Sequence, residues 1–203
     1  MKRSGRSVEE ASLVIEIEEV LLPTMASDLS AGQMGNGIAH VCALAGFTVI
    51  LNDVSPDRLK ASLATINGNM ARQVGKKAIS EEDRKNALGR IKTAETYDAL
   101  AACDIVIETA TEKEDVKRKI FADLCASLKP EAIVATNTSS ISITRLASST
   151  DRPERFIGIH FMNPVPLMEL VEVIRGIGSS SSIVRSTIWI ASPRPSARRT
   201  ARR

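Results

Sequence analysis

The sequence predicts an α/β protein with a doubly wound, mostly parallel β-sheet. Short β-rich runs alternate with segments of helical periodicity between Ala31 and Ile177, and this alternation is typical of βαβ units. Because βαβ crossovers are right-handed, a Rossmann-type topology is the expected arrangement. A hydrophobic fraction of 43% is enough to fill a core, and 25% charged residues is ordinary for a soluble protein.

The individual elements can be placed from the signals at their ends. Gly46 is a typical helix C-cap, Pro56 suits a first helical turn, and the run from Ser80 has a capping-box pattern. The predicted strands cover residues 47–53, 105–108, 132–136, 155–161 and 168–174. The predicted helices cover 33–45, a long segment from 55, a second from 80, and residues 112–128 and 142–148.

Both ends of the chain depart from this pattern. Residues 23–29 contain Pro, Ser and Asp and make a poor central strand, so the first strand of the domain is expected to be absent. Residues 178–203 are rich in Ser, Arg and Pro and are expected to be disordered. We therefore predict an atypical segment over 1–30, a Rossmann-type domain over 31–177 and a tail over 178–203.

The charge distribution argues against a nucleic-acid surface on the domain. From Ser179 onward the chain has six Arg and no Asp, Glu or Lys, and without these arginines the formal net charge of +3 becomes −3. Aromatic residues make up 3% of the chain, too few for a surface on which bases stack. We interpret the tail as solvated chain, in preference to an arm that binds nucleic acid or membrane.

Cysteine usage and hydropathy indicate a reducing, cytoplasmic setting. The three cysteines are scattered without metal-ligand spacing, which indicates free thiols and no metal site. The stretch 8–22 contains five Glu and does not resemble the apolar core of a secretion signal. No run approaches the roughly 20 apolar residues of a membrane span.

A glycine-containing loop precedes the first predicted helix. Gly32 and Gly35 are spaced as in a dinucleotide-binding loop, although Ser30 stands where the first glycine of that motif belongs. The predicted helix begins with Gln33 and Met34. Its free N–H groups would point towards the phosphates of the ligand. The alternative is a helix-capping turn without a ligand.

The strand after this helix ends in Asp53, twenty-one residues after Gly32. A carboxylate at that place accepts hydrogen bonds from a ribose 2′-hydroxyl and repels a 2′-phosphate. The loop, helix, strand and acid together therefore predict a site for NAD, in preference to NADP. The alternative interpretation of Asp53 is a surface carboxylate.

The chain has two histidines, and they differ in their surroundings. His160 follows an apolar run at the edge where doubly wound sheets bind ligands, and it could accept a proton from an alcohol. A carboxylate should orient it, as in a catalytic triad, and periodicity does not choose between Glu169 and Glu172. His40 lies on an apolar helix face and is expected to be part of the core.

A polar cluster, residues 137–140, follows the predicted strand 132–136. It is either the N-cap of the next helix or a set of amide and hydroxyl groups that face the ligand crevice. N-capping would account for one serine of the cluster but not for all of its polar neighbours.

Several stretches together resemble the L-3-hydroxyacyl-CoA dehydrogenase family, most closely its bacterial 3-hydroxybutyryl-CoA members. They are AGQMGNGIAHV, LNDVSPDRL, DIVIETATEKEDVKRKIF, ATNTSSISIT and RFIGIHFMNPVPLMELVEVI. The resemblance implies hydride transfer between NAD and C3 of a 3-hydroxyacyl-CoA. The catalytic residues that it implies are His160 as general base, Glu172 as its orienting carboxylate, Ser139 and Asn163. It further implies cofactor contacts by Asp53 and Glu112, and substrate contacts by Ser139, Asn163 and Lys76.

The resemblance ends near residue 177, where the family continues into the rest of its sheet and a helical, dimerising domain. That helical domain is therefore expected to be absent, and we hypothesise that both ends of this chain are frameshifted or mis-joined. Two other functions compete with a full enzyme. One is a truncated NAD-binding domain with little turnover, and the other is a non-catalytic relative such as a crystallin. Because the family is usually homodimeric, a missing helical domain would also remove the dimer interface.

Overall fold

A computed structural model of the protein describes residues 24–27 and 32–180. The described residues form a seven-stranded sheet with the strand order β3-β2-β1-β4-β5-β6-β7. The strands are β1 (Thr24–Ser27), β2 (Thr48–Asn52), β3 (Ile91–Ala94), β4 (Ile105–Glu108), β5 (Ile133–Thr136), β6 (Phe156–Phe161) and β7 (Val171–Arg175). The helices are α1 (Gln33–Leu44), α2 (Pro56–Gly75), α3 (Glu81–Arg90), α4 (Glu114–Cys125) and α5 (Ile143–Ala147).

The topology confirms the predicted doubly wound fold. All neighbouring strands from β3 to β6 are parallel, and β7 pairs antiparallel with β6. The chain winds outward from β1 in one direction through β2 and β3, and in the other through β4, β5 and β6. The order therefore reverses between β1 and β4, which is where such sheets bind ligands beyond their carboxyl ends.

The expectation that the first strand is absent is wrong. Thr24–Ser27 forms the central strand β1, with Met25 paired to Val49 of β2 on one side and to Ile105 of β4 on the other. Low β-propensity did not prevent this pairing, because a short strand between two others gains its stability from backbone hydrogen bonds on both edges. Residues 1–23, 28–30 and 181–203 of the predicted terminal segments lie outside the described residues. The start of the predicted disordered tail is ordered, since Ser179 is 4% exposed and its hydroxyl donates to Phe156 O at 2.6 Å.

Strand β3 was not predicted from the sequence. It is a four-residue edge strand, IKTA, and its two central residues are exposed. A short edge strand with Lys and Thr lacks the apolar run that marks a buried parallel strand. The pairing of Val49 with Ile91 fixes its register beside β2.

Helix α1 ends as its sequence predicts. Gly46 has φ 102°, a backbone conformation that side-chain-bearing residues rarely adopt. The Phe47 N–H donates to Cys42 O at 3.1 Å and the Gly46 N–H donates to Ala43 O at 3.2 Å. These are the two hydrogen bonds of a Schellman motif, which redirects the chain from α1 into β2.

Helices α2 and α3 form a hairpin whose start signals are also as predicted. The Ser55 hydroxyl accepts from Arg58 N–H at the start of α2, and Pro56 is the first helical residue. At α3, the Ser80 hydroxyl and the Asp83 carboxylate cap each other's backbone N–H groups. The hydrogen bonds from Ser80 hold the pKa of the Asp83 carboxyl below its usual range.

The core is divided between the two faces of the sheet. Ile105 and Ile107 of β4 pack in one cluster with α1, α2 and α3, whereas Val106 packs in a second cluster with α4 and α5. Alternate residues of one strand therefore serve opposite faces, as a sheet covered on both sides requires. Within the described residues, no helix is long and apolar enough to cross a membrane.

Candidate functional site

The two strands β6 and β7 bring His160 and Glu172 together. The two residues are direct partners in the antiparallel ladder. Their side chains lie on the same face of the sheet, and His160 Nδ1 is 2.9 Å from Glu172 Oε2. The structure thus selects Glu172 over Glu169, a choice that periodicity left open.

This contact determines what the imidazole can do. A carboxylate beside Nδ1 favours a proton on that nitrogen, which then donates to Glu172 and leaves Nε2 as the acceptor. The His160 side chain is 20% exposed and that of Glu172 is 49% exposed. The ring therefore borders solvent and remains accessible to a ligand.

The polar residues after β5 have separate tasks. The Asn137 side-chain oxygen accepts from the Phe161 backbone N–H at 2.8 Å, which ties this loop to β6 beside His160. The hydroxyls of Thr138 and Ser140 donate to Glu112 Oε2 at 2.6 and 3.1 Å. The cluster is therefore not the N-cap of α5.

That N-cap is Ser142, whose hydroxyl accepts from the Arg145 N–H at 3.4 Å. Ser139 lies between the anchored residues Thr138 and Ser140, and its side chain is exposed. Its hydroxyl makes no hydrogen bond with any other described residue. Ser139 is therefore the member of the cluster that is left to meet a ligand.

A cleft of about 830 Å³ collects three of the predicted site residues. Ser139, His160 and Glu172 all line it, together with residues of α5 and β7. Such a volume is within the range that small-molecule sites usually have.

Asn163 lies outside this lining, on the turn that joins β6 to β7. The turn is closed by Leu167 N–H and Met168 N–H, which both donate to Pro164 O, at 2.9 and 3.2 Å. Asn163 is exposed, and the Asn163–Pro164 peptide bond is cis. Asn163 follows the end of β6 by two residues, so it lies at the same end of the sheet as His160.

The N-terminus of α1 offers uncapped backbone N–H groups. Gly32 occupies the N-cap position, where no side chain supplies a hydrogen bond, and the first turn contains no acidic residue. Gln33 is exposed, Met34 is half-buried and Gly35 is buried. Free N–H groups at a helix N-terminus favour an anion such as a phosphate. Ser30 and Ala31, the preceding loop residues, lie outside the described residues.

Asp53 follows β2 at the carboxyl edge of the sheet and is 2% exposed. Its Oδ1 accepts from the Ser55 N–H at 2.8 Å, and its Oδ2 lies 3.7 Å from the Arg58 guanidinium. These contacts hold the carboxylate in place at the end of β2, which is a neighbour of the central strand β1.

Lys76 is separate from the cleft. It is the exposed C-cap of α2, at the tip of the α2–α3 hairpin, and does not belong to the cleft lining. Glu112, by contrast, is joined to the loop after β5 through Thr138 and Ser140. The structure therefore connects Glu112 to Ser139 but leaves Lys76 on a different part of the surface.

A buried ionic network that the sequence did not predict lies under this edge of the sheet. Lys117 of α4 donates to Glu108 Oε2 at 2.5 Å and to Thr136 Oγ1 at 3.2 Å, and both charged side chains are 0% exposed. The Thr136 hydroxyl donates to the same Glu108 oxygen at 2.7 Å, and the Ala110 N–H donates to the other at 2.7 Å. The network joins the ends of β4 and β5 to α4.

A signal for this network was present in the sequence. The buried stripe of α4 consists of Lys117, Phe121, Leu124 and Cys125, so Lys117 stands at an apolar position of the helical period. Glu108 ends a strand whose other residues are all apolar. A lone acid and a lone base on facing buried surfaces predict a pair, because neither charge can be buried alone.

The three cysteines are buried, free thiols. Burial raises the pKa of Cys42 to about 12 and the pKa values of Cys103 and Cys125 to about 11. Because the thiolate is the reactive form, these thiols are not equipped for nucleophilic chemistry at neutral pH.

The fold and the site define a doubly wound dinucleotide-binding domain with a histidine–carboxylate pair at the carboxyl edge of its sheet. The family described as 3-hydroxyacyl-CoA dehydrogenase, NAD binding domain, matches residues 29–193. The chain belongs to the 3-hydroxyacyl-CoA dehydrogenase family and carries its NAD-binding domain.

Relatives of known sequence and structure agree with this assignment. The chain is 73% identical over 154 residues to a 3-hydroxybutyryl-CoA dehydrogenase of Bradyrhizobium diazoefficiens, covering 76% of this chain and 53% of the relative. It is 40% identical over 177 residues to a probable 3-hydroxybutyryl-CoA dehydrogenase of Bacillus subtilis, covering 87% and 60%.

Among solved structures, (S)-3-hydroxybutyryl-CoA dehydrogenase from Ralstonia eutropha superposes with a TM-score of 0.77 at 45% identity. The superposition covers 79% of this chain and 57% of that chain. The chain thus spans between about half and three fifths of the length of these relatives.

Proposed function

We propose that this chain provides the dehydrogenase chemistry that transfers a hydride between NAD and C3 of a short-chain 3-hydroxyacyl-CoA. The observation that carries the proposal is the His160–Glu172 pair, which opens into the same cleft as Ser139. The 73% identity to a 3-hydroxybutyryl-CoA dehydrogenase supports the acyl-CoA substrate and its short chain.

The residues at the N-terminal end of α1 and at the end of β2 fit NAD. The uncapped N-terminus at Gly32 suits the pyrophosphate, with Gln33, Met34 and Gly35 forming the first turn against it. Asp53 is the proposed acceptor of hydrogen bonds from the adenosine ribose, and its charge would disfavour a 2′-phosphate. When bound, NAD supplies the hydride acceptor for oxidation of the alcohol, or the donor for reduction of the ketone.

His160 is the proposed general base. Its Nε2 takes the proton from the C3 hydroxyl as the alcohol becomes a ketone, and returns it in the reverse direction. Glu172 stabilises the resulting imidazolium and keeps the ring oriented through Nδ1. The exposed position of the pair leaves room for this exchange with a bound alcohol.

Ser139 and Asn163 are the proposed groups around the reacting oxygen. The Ser139 hydroxyl has no competing partner among the described residues, so it can donate to the substrate oxygen. Asn163, on the turn after β6, is the proposed source of a second hydrogen bond to the same oxygen, from its side-chain amide. Two short hydrogen bonds to an oxygen that gains negative charge stabilise the transition state more than the ground state.

Glu112 and Lys76 have proposed roles farther from the reacting carbon. Glu112 is held by two hydroxyls beside the loop that carries Ser139, which suits a contact to the cofactor. Lys76 is exposed at the tip of the helical hairpin, which suits a contact to a phosphate of coenzyme A. We propose that the NAD-binding domain covers residues 31–177 together with the preceding strand β1.

A second candidate function is NAD binding with little turnover. It is supported by the match of residues 29–193 to a family described as an NAD binding domain. A non-catalytic role is less well supported, because His160, Glu172 and Ser139 retain an arrangement suited to proton transfer.

The test measures NADH binding by fluorescence and NADH oxidation with acetoacetyl-CoA, in the wild-type chain and in His160→Ala. We expect NADH to bind equally to both, and the variant to lose at least about 100-fold in turnover, the usual size of a general-base contribution. Binding without turnover in either protein would favour the second candidate. Equal turnover in both proteins would refute the role of His160.

A further inference from the structure

Helix α1 and the turn between β6 and β7 approach each other closely at Gly37. A Cβ atom at position 37 would lie 2.7 Å from Val165 Cβ and 2.9 Å from Val165 Cγ2. It would also lie 3.5 Å from Pro166 Cδ. Carbon atoms in ordinary contact are about 3.5–4.0 Å apart, so only a residue without a side chain fits at Gly37.

Val165 is the anchor of that turn. It is 5% exposed, whereas its neighbours Asn163, Pro164 and Leu167 are exposed. Of residues 163–170, Val165 alone is buried. The position of Asn163, two residues before Val165, therefore depends on how Val165 sits against α1.

The two sides of this contact differ in their freedom to move. Helix α1 is held in the core by Ile38, Ala39 and Cys42, each 0% exposed. The turn is held by Val165 and by its own hydrogen bonds to Pro164 O. An added methyl group at position 37 must therefore displace the turn and not the helix.

We propose that Gly37 is a positioning residue, whose missing side chain seats Val165 on α1 and so sets the distance of Asn163 from the cofactor-binding end of that helix. The contact couples the helix proposed to bind the pyrophosphate to the turn that joins His160 to Glu172. The catalytic consequence rests on the proposed function, but the placement of the turn does not.

Two variants test the contact from its opposite sides. Gly37→Ala inserts a methyl group between helix and turn, and Val165→Ala removes the methyl groups by which the turn packs. We expect both to reduce kcat about 10- to 100-fold, because misplacement of a reacting group by about 1 Å costs that much. The dissociation constant for NADH should change less than about threefold, since α1 stays in place.

A second readout does not depend on turnover. Hydrogen exchange of the Leu167 and Met168 amides, which donate to Pro164 O, reports on the turn itself. In both variants we expect these amides to exchange at least about tenfold faster, a local opening that costs about 1.4 kcal/mol less. Amides of α1 and β6 should keep the exchange rates of the wild type.

Gly68→Ala is the matched control. Gly68 also lies in a helix, α2, but an added Cβ there would meet nothing within 4 Å. This variant should keep the wild-type kcat, NADH affinity and exchange of the turn. Any variant that unfolds would be recognised by lost exchange protection throughout α1 and the sheet.

The outcomes separate this proposal from the proposed function. Unchanged exchange in the turn of Gly37→Ala, or weakened NADH binding with exchange changed in α1 instead, would overturn the positioning role. Faster exchange confined to the turn would support it even in a chain without turnover. Failure of the proposed function would appear separately, as wild-type turnover that is absent or independent of His160.

Discussion

One buried pair of charged residues, Glu108 and Lys117, fixes the geometry of the sheet edge beside the candidate site. The Glu108–Lys117 pair is fully buried, and its remaining hydrogen-bonding capacity is directed to Thr136 and the Ala110 N–H. Burying two charges gains little stability over an apolar pair, so the value of the network lies in fixing geometry. The geometry that it fixes is the edge from which the loops carrying Glu112 and Ser139 begin.

Removing one partner of this network should be costly. Lys117→Met leaves the Glu108 carboxylate buried without its cation, and we expect the free energy of unfolding to fall by about 3–5 kcal/mol. The double variant Glu108→Gln with Lys117→Met should recover much of that loss, because no uncompensated charge remains. Urea unfolding measures both changes.

Lys119→Met is the control for this prediction, since Lys119 is an exposed lysine of the same helix. Its effect should be within about 0.5 kcal/mol of zero. If Lys117→Met lowers the free energy of unfolding as little as the control does, Lys117 does not compensate the buried charge of Glu108.

His40 illustrates a second kind of buried ionisable group. It is 0% exposed, as the sequence predicted, and its Nε2–H donates to Gln73 Oε1 at 2.9 Å. Its Nδ1 is buried without a hydrogen-bond partner among the described residues. Burial lowers the pKa of His40 below its usual 6.5, and the hydrogen bond to Gln73 opposes the shift.

This lowered pKa makes stability depend on pH in a defined direction. Below pH 6.5 the unfolded chain takes up a proton at His40 that the folded chain refuses. The free energy of unfolding should therefore be highest above pH 6.5 and fall as the pH drops towards the folded-state pKa. Thermal or urea unfolding between about pH 5.5 and 7.5 measures this fall, which should be smaller in His40→Gln. Identical pH profiles for the two proteins would contradict the assignment.

At the scale of elements, two helices end in the same motif with different residues. Helix α1 uses Gly46 at the position of positive φ, whereas α2 uses Lys77, with φ 57°. The Lys77 and Ala78 N–H groups donate to Val74 O and Gln73 O, at 2.8 and 2.9 Å, and repeat the Schellman pattern of α1. A residue with a side chain costs conformational free energy at positive φ. Lys77 therefore carries this cost at the end of α2, whereas Gly46 avoids it at the end of α1.

These two caps should respond in opposite directions. Gly46→Ala should destabilise the chain by about 1–2 kcal/mol, since it introduces a Cβ at positive φ. Lys77→Gly should stabilise it by about 1 kcal/mol, because it removes the same strain. The melting temperatures of the two variants, compared with the wild type, provide the measurement. A shift of the same sign in both would contradict the assigned caps.

The sequence predicted the elements whose signals are local. The caps at Gly46, Ser55 and Ser80 and the buried strand β4 all appear where they were expected. It failed for β1 and β3, because their pairing is decided by neighbouring strands and not by their own composition. It also left Glu172 undecided, since the register of β6 with β7 depends on the length and path of the turn between them.

At the scale of the whole molecule, the central strand β1 leaves no unpaired edge in the middle of the described sheet. An absent first strand would leave a sheet edge exposed at β2 and β4, whereas β1 is paired with both of these strands. Exposed apolar side chains lie instead around β7 and its flanking turns: Leu167, Met168, Leu170, Val173, Ile174 and Ile177. An exposed apolar surface of this kind favours association. In this sheet it lies at the end that β7 forms, and not at the centre.

The division of the candidate site also follows from the whole fold. The two halves of the sheet supply different parts, with Gly32 and Asp53 on the side of α1 and β2, and Ser139, His160 and Glu172 on the side of β5 to β7. The contact of Gly37 with Val165 joins these two halves directly. The proposed NAD contacts and the proposed proton transfer thus lie in separate halves of one sheet.

The most direct test of the proposed chemistry compares the two glutamates between which the sequence could not choose. Single-turnover transfer of deuterium from 4-deuterated NADH to C3 of acetoacetyl-CoA is measured by mass spectrometry in the wild type, Glu172→Gln and Glu169→Gln. We expect Glu172→Gln to slow the transfer at least about 100-fold, because His160 loses the carboxylate that orients it, and Glu169→Gln to stay within about threefold of wild type. Equal rates in the two variants, or a greater loss in Glu169→Gln, would contradict the His160–Glu172 pair as the unit that moves the proton.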